Sequence, residues 1–272
     1  MCGMVKPSFI PPADIRQLRD LVRYRFKLTC MITSEKNRVH NCLTVSNLKL
    51  DDVFSDILDK SSRSITEQIL QYPVETFDVA PFVDGICKTP ISEIQTAVNG
   101  AISTEQAVKL RQCLNHIDEL EKHQTEIKRE IFRLSDKYEN VFALIRTVPG
   151  FDKNPMTAIQ VLSEIKGDIS VFPTAKNLVS WAGCCLHNNQ SNRKIKYTKI
   201  SRASSYFKPV LVQVASALIK SKKNPEITTR YRRIKARRGH KKAIIAICRM
   251  LLTAIWHILT DLNPYTPEGF LE

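Results

Sequence analysis

Apolar residues Ile15, Leu18, Val22, Phe26, Ile32, Val39 and Leu43 recur at roughly helical spacing behind Pro11 and Pro12, which predicts a helix from Ala13 to about Leu43. Its other side carries Arg16, Arg19, Arg23, Lys27, Lys36 and Arg38, a pattern that fits a nucleic-acid contact or a solvated basic face equally. Residues 44–100 give shorter helical patterns broken by Pro73, Pro81, Gly85 and Pro90, with Asp51 and Asp52 at a helix start or turn. Between Ser103 and Arg146 the pattern becomes regular: Leu110, Leu114, Ile117, Leu120, Ile127, Ile131, Leu134, Tyr138, Val141 and Ile145 form a heptad-like stripe with charged neighbours. One long helix is expected there. Its stripe can pair with a second copy of the chain or fold back on the 13–43 helix. We take homo-oligomerisation through 103–147 as the expectation, with Gln124 as a polar seam residue setting register.

A boundary falls at Thr147-Val148-Pro149-Gly150, followed by a new helix through Thr157, Ala158, Leu162 and Ile165. This turn resembles a helix-hairpin-helix corner, although Pro-Gly also serves simply to end a helix. The apolar run Ala243 to Leu259 is interrupted by Arg249 and His257, so a buried core helix is expected and not a membrane span. With 8 Gly against 13 Pro and many Leu, Ile, Lys and Glu, the fold class is read as mainly α. The eight cysteines contain no CxxC pair, and no apolar leader opens the chain, which points to reduced thiols in a cytoplasm. Cys184, Cys185 and His187 lack a second ligand pair at zinc-finger spacing, so no bound metal is expected.

Charge then singles out one segment. Residues 191–249 hold 18 of the 41 Lys and Arg with one acid, Glu226, leaving 23 basic against 26 acidic residues elsewhere. Such a surface repels itself unless anions offset it, which predicts nucleic-acid binding. The candidate contacts are Arg193, Lys194, Lys196, Lys199, Arg202, Lys208, Arg230, Arg232, Arg233, Arg237, Arg238, Lys241 and Lys242. Ser191 opens the segment among amides and cations, and read from the residues alone it is a turn or N-cap serine as readily as a reactive group.

An ordered series runs through these landmarks: Val148-Pro149-Gly150, Thr157-Ala158, Ser163-Glu164-Ile165, Phe172-Pro173-Thr174-Ala175, Ser180-Trp181-Ala182-Gly183 and Asn188-Asn189-Gln190-Ser191. It continues through Thr198-Lys199-Ile200-Ser201-Arg202-Ala203, Tyr231-Arg232-Arg233-Ile234 and Arg237-Arg238-Gly239-His240-Lys241-Lys242-Ala243. The series closely resembles the C-terminal transposase domain of the insertion sequence 110 family. Upstream, Ser8-Phe9-Ile10-Pro11-Pro12, Ile15-Arg16-Gln17-Leu18-Arg19-Asp20-Leu21 and Glu35-Lys36-Asn37-Arg38 resemble the stretch joining that family's catalytic N-terminal domain to its coiled coil.

The resemblance implies a DNA transposase in which a RuvC-like domain holds Mg²⁺ through four acids and a serine, here Ser191, attacks a DNA phosphate. A guide RNA selects target and donor. Arg193, Lys194 and Lys196 are then the nearest cations to the nucleophile. Two departures stand out. Asn192-Arg193 follows the serine where the family has small residues, with Lys194 still in register. The family's acids lie upstream of the Ser-Phe-Ile-Pro-Pro segment, which only seven residues precede here. The expectation is therefore an N-terminally truncated transposase: residues 1–45 a remnant of the region after a largely absent RuvC-like α/β domain, 46–147 a helical connector and coiled coil, and 148–272 the serine-bearing domain. It is expected to bind DNA and guide RNA, no membrane, and no Mg²⁺ by itself. Strand transfer alone is not expected, and the alternative is a non-catalytic nucleic-acid-binding regulator.

Overall fold

The computed structural model describes residues 10–73, 77–165, 168–185 and 205–267, together with the backbone of 189–191 and 194–197. Packing divides the chain into two compact units, Arg25–Lys128 and a larger one that joins Met1–Tyr24 to Arg129–Glu272. Helices α1 (Ala13–Val45) and α5 (Thr104–Ser135) contribute residues to both. The fold is mainly α, as the hydrophobic periodicity predicts, with one short antiparallel hairpin among the described residues.

In the Arg25–Lys128 unit, α1 is followed by α2 (Leu50–Val53), α3 (Lys60–Gln71) and α4 (Ile91–Ala97) before α5 returns antiparallel to α1. The direction follows from two polar bonds: Gln124 Nε2 donates to Thr29 Oγ1 at 2.8 Å, and Glu35 lies 2.9 Å from His116 Nδ1. Alongside these bonds, Leu28, Ile32, Val39 and Leu43 of α1 share a core with Leu110, Leu114, Ile117 and Leu120 of α5. The stripe read as a seam with a second copy is thus buried by the chain's own α1, and Gln124 sets register within one chain. Arg63 Nη2 ties α3 to Asp118 of α5 at 2.8 Å.

The larger unit is organised around α11 (His240–Asp261). Ten of its residues, from Ala243 to Leu259, are buried at three- and four-residue intervals, while Arg249 and His257 face outward. Its length and hydropathy would allow a membrane crossing. Here the apolar face packs on α6 (Glu139–Thr147), α8 (Ala175–Trp181), α9 (Phe207–Leu218) and α10 (Pro225–Arg238), which makes it a core helix.

The single helix expected over 103–146 is broken. A 3₁₀ turn, Asp136–Tyr138, separates α5 from α6, and Ser135 Oγ bonds back to Phe132 O at 2.8 Å. The start of α1 is anchored at this break, where burial, reinforced by the hydrogen bond that Tyr138 donates to the Asp14 carboxylate, pushes the Tyr138 phenol up to about 12. After α6 the chain turns through Gly150, at φ 89°, into α7 (Pro155–Glu164), whose Asn154 cap accepts from Met156 N at 3.1 Å. A Cβ on Gly150 would meet Val214 Cγ1 at 2.7 Å, so both backbone conformation and space require glycine.

Gly150→Ala is therefore expected to lower stability by about 2 kcal/mol or more, combining left-handed strain with overpacking. Urea denaturation followed by circular dichroism measures this, and a change within about 0.5 kcal/mol would contradict the assigned role.

Candidate nucleic-acid interface

The polar cluster containing Ser191 forms a hairpin of β1 (Asn189–Ser191) and β2 (Lys194–Tyr197), with Ser191 paired to Lys194, Gln190 to Ile195 and Asn189 to Tyr197. An irregularity between Asn189 and Gln190 disturbs the register. Lys196 lies further along β2. Arg193, Lys199 and Arg202 lie outside the described residues, as does His187.

The described residues on either side of the hairpin belong to one aromatic group. On the entering side, α8 is capped by Thr174 and ends at Trp181, whose ring lies 5.3 Å from Phe172 and 5.5 Å from Phe207 between centroids. Trp256 of α11 fixes Phe172 by donating Nε1–H to its carbonyl at 2.8 Å. On the returning side, Tyr206 precedes α9 and lies under the Arg23 guanidinium, 4.8 Å from the ring centroid. Arg23 in turn makes a bidentate pair with Glu164 of α7, at 2.8 and 2.9 Å. The Glu164 side chain is 1% exposed, so this pairing is what makes its burial tolerable. The same hydrogen bonds raise the Arg23 pKa further.

Cys184, just after α8, and Cys248 of α11 are buried thiols. Burial pushes Cys184 up to about 11 and Cys248 up to about 12, with Lys208 and Arg249 near enough to Cys184 to pull it the other way. All seven cysteines among the described residues are free thiols. No group of three or more His, Cys, Asp or Glu among the described residues could share a metal ion, so the Mg²⁺ implied by the resemblance finds no fitting donor set there.

The basic surface itself is carried by α10 and the start of α11. Ile227 and Tyr231, one helical turn apart, bury one side of α10. Arg230, Arg232, Arg233, Arg237 and Arg238 are exposed, as are Lys241 and Lys242 beyond the turn. None of these seven forms an ion pair among the described residues. The two helices meet at Gly239, with φ 82° and ψ 167°, a conformation essentially reserved for glycine. The corner is stiffened by Tyr231, whose hydroxyl lies 2.7 Å from His240 Nδ1, and by Lys235, which lies 5.9 Å from the Tyr231 ring centroid.

Helix-dipole effects sharpen the charge. Lys235, Arg237 and Arg238 at the end of α10 are favoured there, but Lys241 and Lys242 lie in the first turn of α11, where cations are disfavoured and no side chain caps the amides. Cations from the two helix ends therefore converge on one corner without counter-charge, an arrangement that suits a run of phosphates. The unit bearing it has 29 basic against 12 acidic residues, and the Arg25–Lys128 unit has 12 against 15.

Three of the α1 cations offered as nucleic-acid contacts are already committed to carboxylates: Arg23 to Glu164, Lys36 to Asp56 and Arg38 to Glu35. Conversely, Lys220, Lys222, Lys223, Lys235 and Arg249, which are not among the sequence-predicted contacts, are exposed in the same basic block, and composition alone marks them.

Residues 142–232 match the family model described as Transposase IS116/IS110/IS902 family. The matched interval runs from Phe142 in α6 to Arg232 in α10 and encloses α7, α8, the hairpin and α9. No curated protein matches the chain.

The buried thiols give a pH signature. Their folded values lie above the ordinary 9.0, so their contribution to stability is complete below about pH 9 and is lost as pH rises toward 11 and 12. Thermal midpoints measured from about pH 8 to about pH 11 should fall less steeply for Cys248→Ala than for the parent, and parallel curves would contradict the assignment.

Proposed function

We propose, from the transposase-family character of residues 142–232, that this chain holds DNA on the α10–α11 corner and that Ser191 is the nucleophile for strand cleavage and transfer. The observation carrying the reading is the coincidence, within one compact unit, of the hairpin bearing Ser191 and seven exposed, unpaired cations. A transposase acts on DNA, and a phosphodiester backbone supplies the anions that this surface lacks.

In the proposed step, Ser191 Oγ bonds to phosphorus and the bridging deoxyribose oxygen leaves. The serine proton passes to a base, and the leaving oxygen must receive a proton. Serine is a weak nucleophile at its free pKa, so the cations nearest in sequence, Arg193, Lys194 and Lys196, serve to offset charge on the phosphate. Lys194 supports this role as the strand partner of Ser191. Mg²⁺ would add metal activation, and no group of three or more His, Cys, Asp or Glu among the described residues is arranged to hold it. We therefore assign binding of DNA and guide RNA at the nucleoid to these 272 residues, and strand transfer only to an assembly in which other carboxylates are supplied. The exposed basic corner also supports a second reading, a non-catalytic regulator that occupies nucleic acid.

Replacing Arg232, Arg233, Arg237 and Arg238 together by Gln should weaken binding to a DNA duplex more than about tenfold and flatten its log–log salt dependence by roughly 3 to 4. Fluorescence anisotropy over a salt series reads both, and an unchanged slope would remove this corner from the interface. For chemistry, donor and target DNA, guide RNA and Mg²⁺ are incubated with the chain, alone and with a separately supplied RuvC-like domain. A covalent protein–DNA adduct is expected only in the complemented reaction and should vanish in Ser191→Ala. An adduct from the chain alone would overturn the division of labour, and an adduct surviving Ser191→Ala would overturn the nucleophile. No adduct in any arm would favour the regulator.

A further inference from the structure

The segment carrying the hairpin returns to the helical core at Tyr206, and three contacts converge on that point. The Arg23 guanidinium lies over the Tyr206 ring, 4.8 Å from its centroid. Gln160 of α7 donates Nε2–H to the Tyr206 carbonyl at 3.3 Å. The next residue, Phe207, is fully buried and packs against Trp181 at the entrance of the same segment.

Arg23 is held as firmly as the residue it covers. Two of its nitrogens bond both oxygens of Glu164, a carboxylate 1% exposed and 141 positions away in the chain. A planar guanidinium engaged along one edge keeps its face available for stacking on an aromatic ring. Its charge is already neutralised, so it has little left to offer a phosphate. An exposed arginine serving DNA would need no buried carboxylate behind it.

We propose that Arg23 is a positioning residue for the serine-bearing hairpin. With its charge fixed by Glu164, it pins Tyr206 and so sets where the strand return enters α9. The positioning stands without any catalytic claim, while its consequence for strand transfer rests on the Ser191 reading above.

Two variants of the full chain separate this role from general stability. Tyr206→Leu removes the ring and leaves the ion pair. Arg23→Gln combined with Glu164→Gln removes the guanidinium without stranding a buried charge. Hydrogen–deuterium exchange is followed by peptide mass spectrometry, with helix content checked by circular dichroism. Peptides spanning 186–211 should exchange about tenfold faster in both variants while α11 peptides stay within about twofold of the parent. Unchanged exchange in 186–211 would overturn the proposal, as would acceleration spread equally over α11. DNA affinity supplies a second discriminator. Its salt slope should be the same in the parent and both variants, and a slope flatter by about 1 in the Arg23 variant alone would make Arg23 a phosphate contact instead. In the complemented adduct reaction, both variants should form adduct at least about tenfold more slowly at unchanged DNA affinity. If the parent forms no adduct, the Ser191 reading fails and the exchange result alone decides the positioning role. Adduct formation at the parental rate despite faster exchange would overturn the link between hairpin position and chemistry.

Discussion

Sinking the apolar face of α11 into the larger unit is the constraint from which the rest of that unit follows. Seven large aliphatic side chains, Ile244, Ile247, Leu251, Leu252, Ile255, Ile258 and Leu259, are buried along this one helix. At about 1.5–3 kcal/mol each, the gross stabilisation is on the order of 10–20 kcal/mol before conformational entropy is counted. Repulsion among exposed like charges is far weaker, under about 1 kcal/mol for a typical surface pair. The core can therefore carry a crowded cationic surface on its rim. Because α11 begins directly after Gly239, burying it also fixes the position of Lys241 and Lys242 and, through Tyr231 and His240, the end of α10.

The same core presents the hairpin. Trp256 holds Phe172, Phe172 and Phe207 flank Trp181, and Tyr206 lies beside them under Arg23. A short two-stranded ribbon has little stability of its own. The aromatic packing that bounds the segment carrying it is built from residues far apart in sequence. Cations of the larger unit thus divide into two kinds. Arg23 is neutralised inside the fold, whereas the α10–α11 set is left facing solvent, and this division is what gives the surface a direction.

Much of the architecture was legible from spacing. The α1 start behind Pro11 and Pro12, the connector helices, the Val148–Gly150 corner and the core character of α11 each follow from local periodicity or local breakers. The turn inside the predicted 103–146 helix was not, because Leu134, Tyr138, Val141 and Ile145 keep helical spacing straight through Asp136–Tyr138. A 3₁₀ turn has nearly the same period and leaves that pattern intact. The partner of the α5 stripe was equally invisible, since an apolar seam has the same period whether the facing helix comes from a second copy or from α1.

By itself, the order of residues determined the mainly helical class, the concentration of positive charge in 191–249 and the resemblance that points to Ser191, because each is a property of composition or local order. Only tertiary structure decided which cations remain free. Arg23 and Arg232 are the same residue type in similarly basic helices, yet one meets a buried carboxylate 141 positions away and the other meets solvent. Long-range pairing has no periodic trace in the chain; it exists only once packing brings α1 and α7 together, and the cost of leaving Glu164 unpaired then commits Arg23 to the fold.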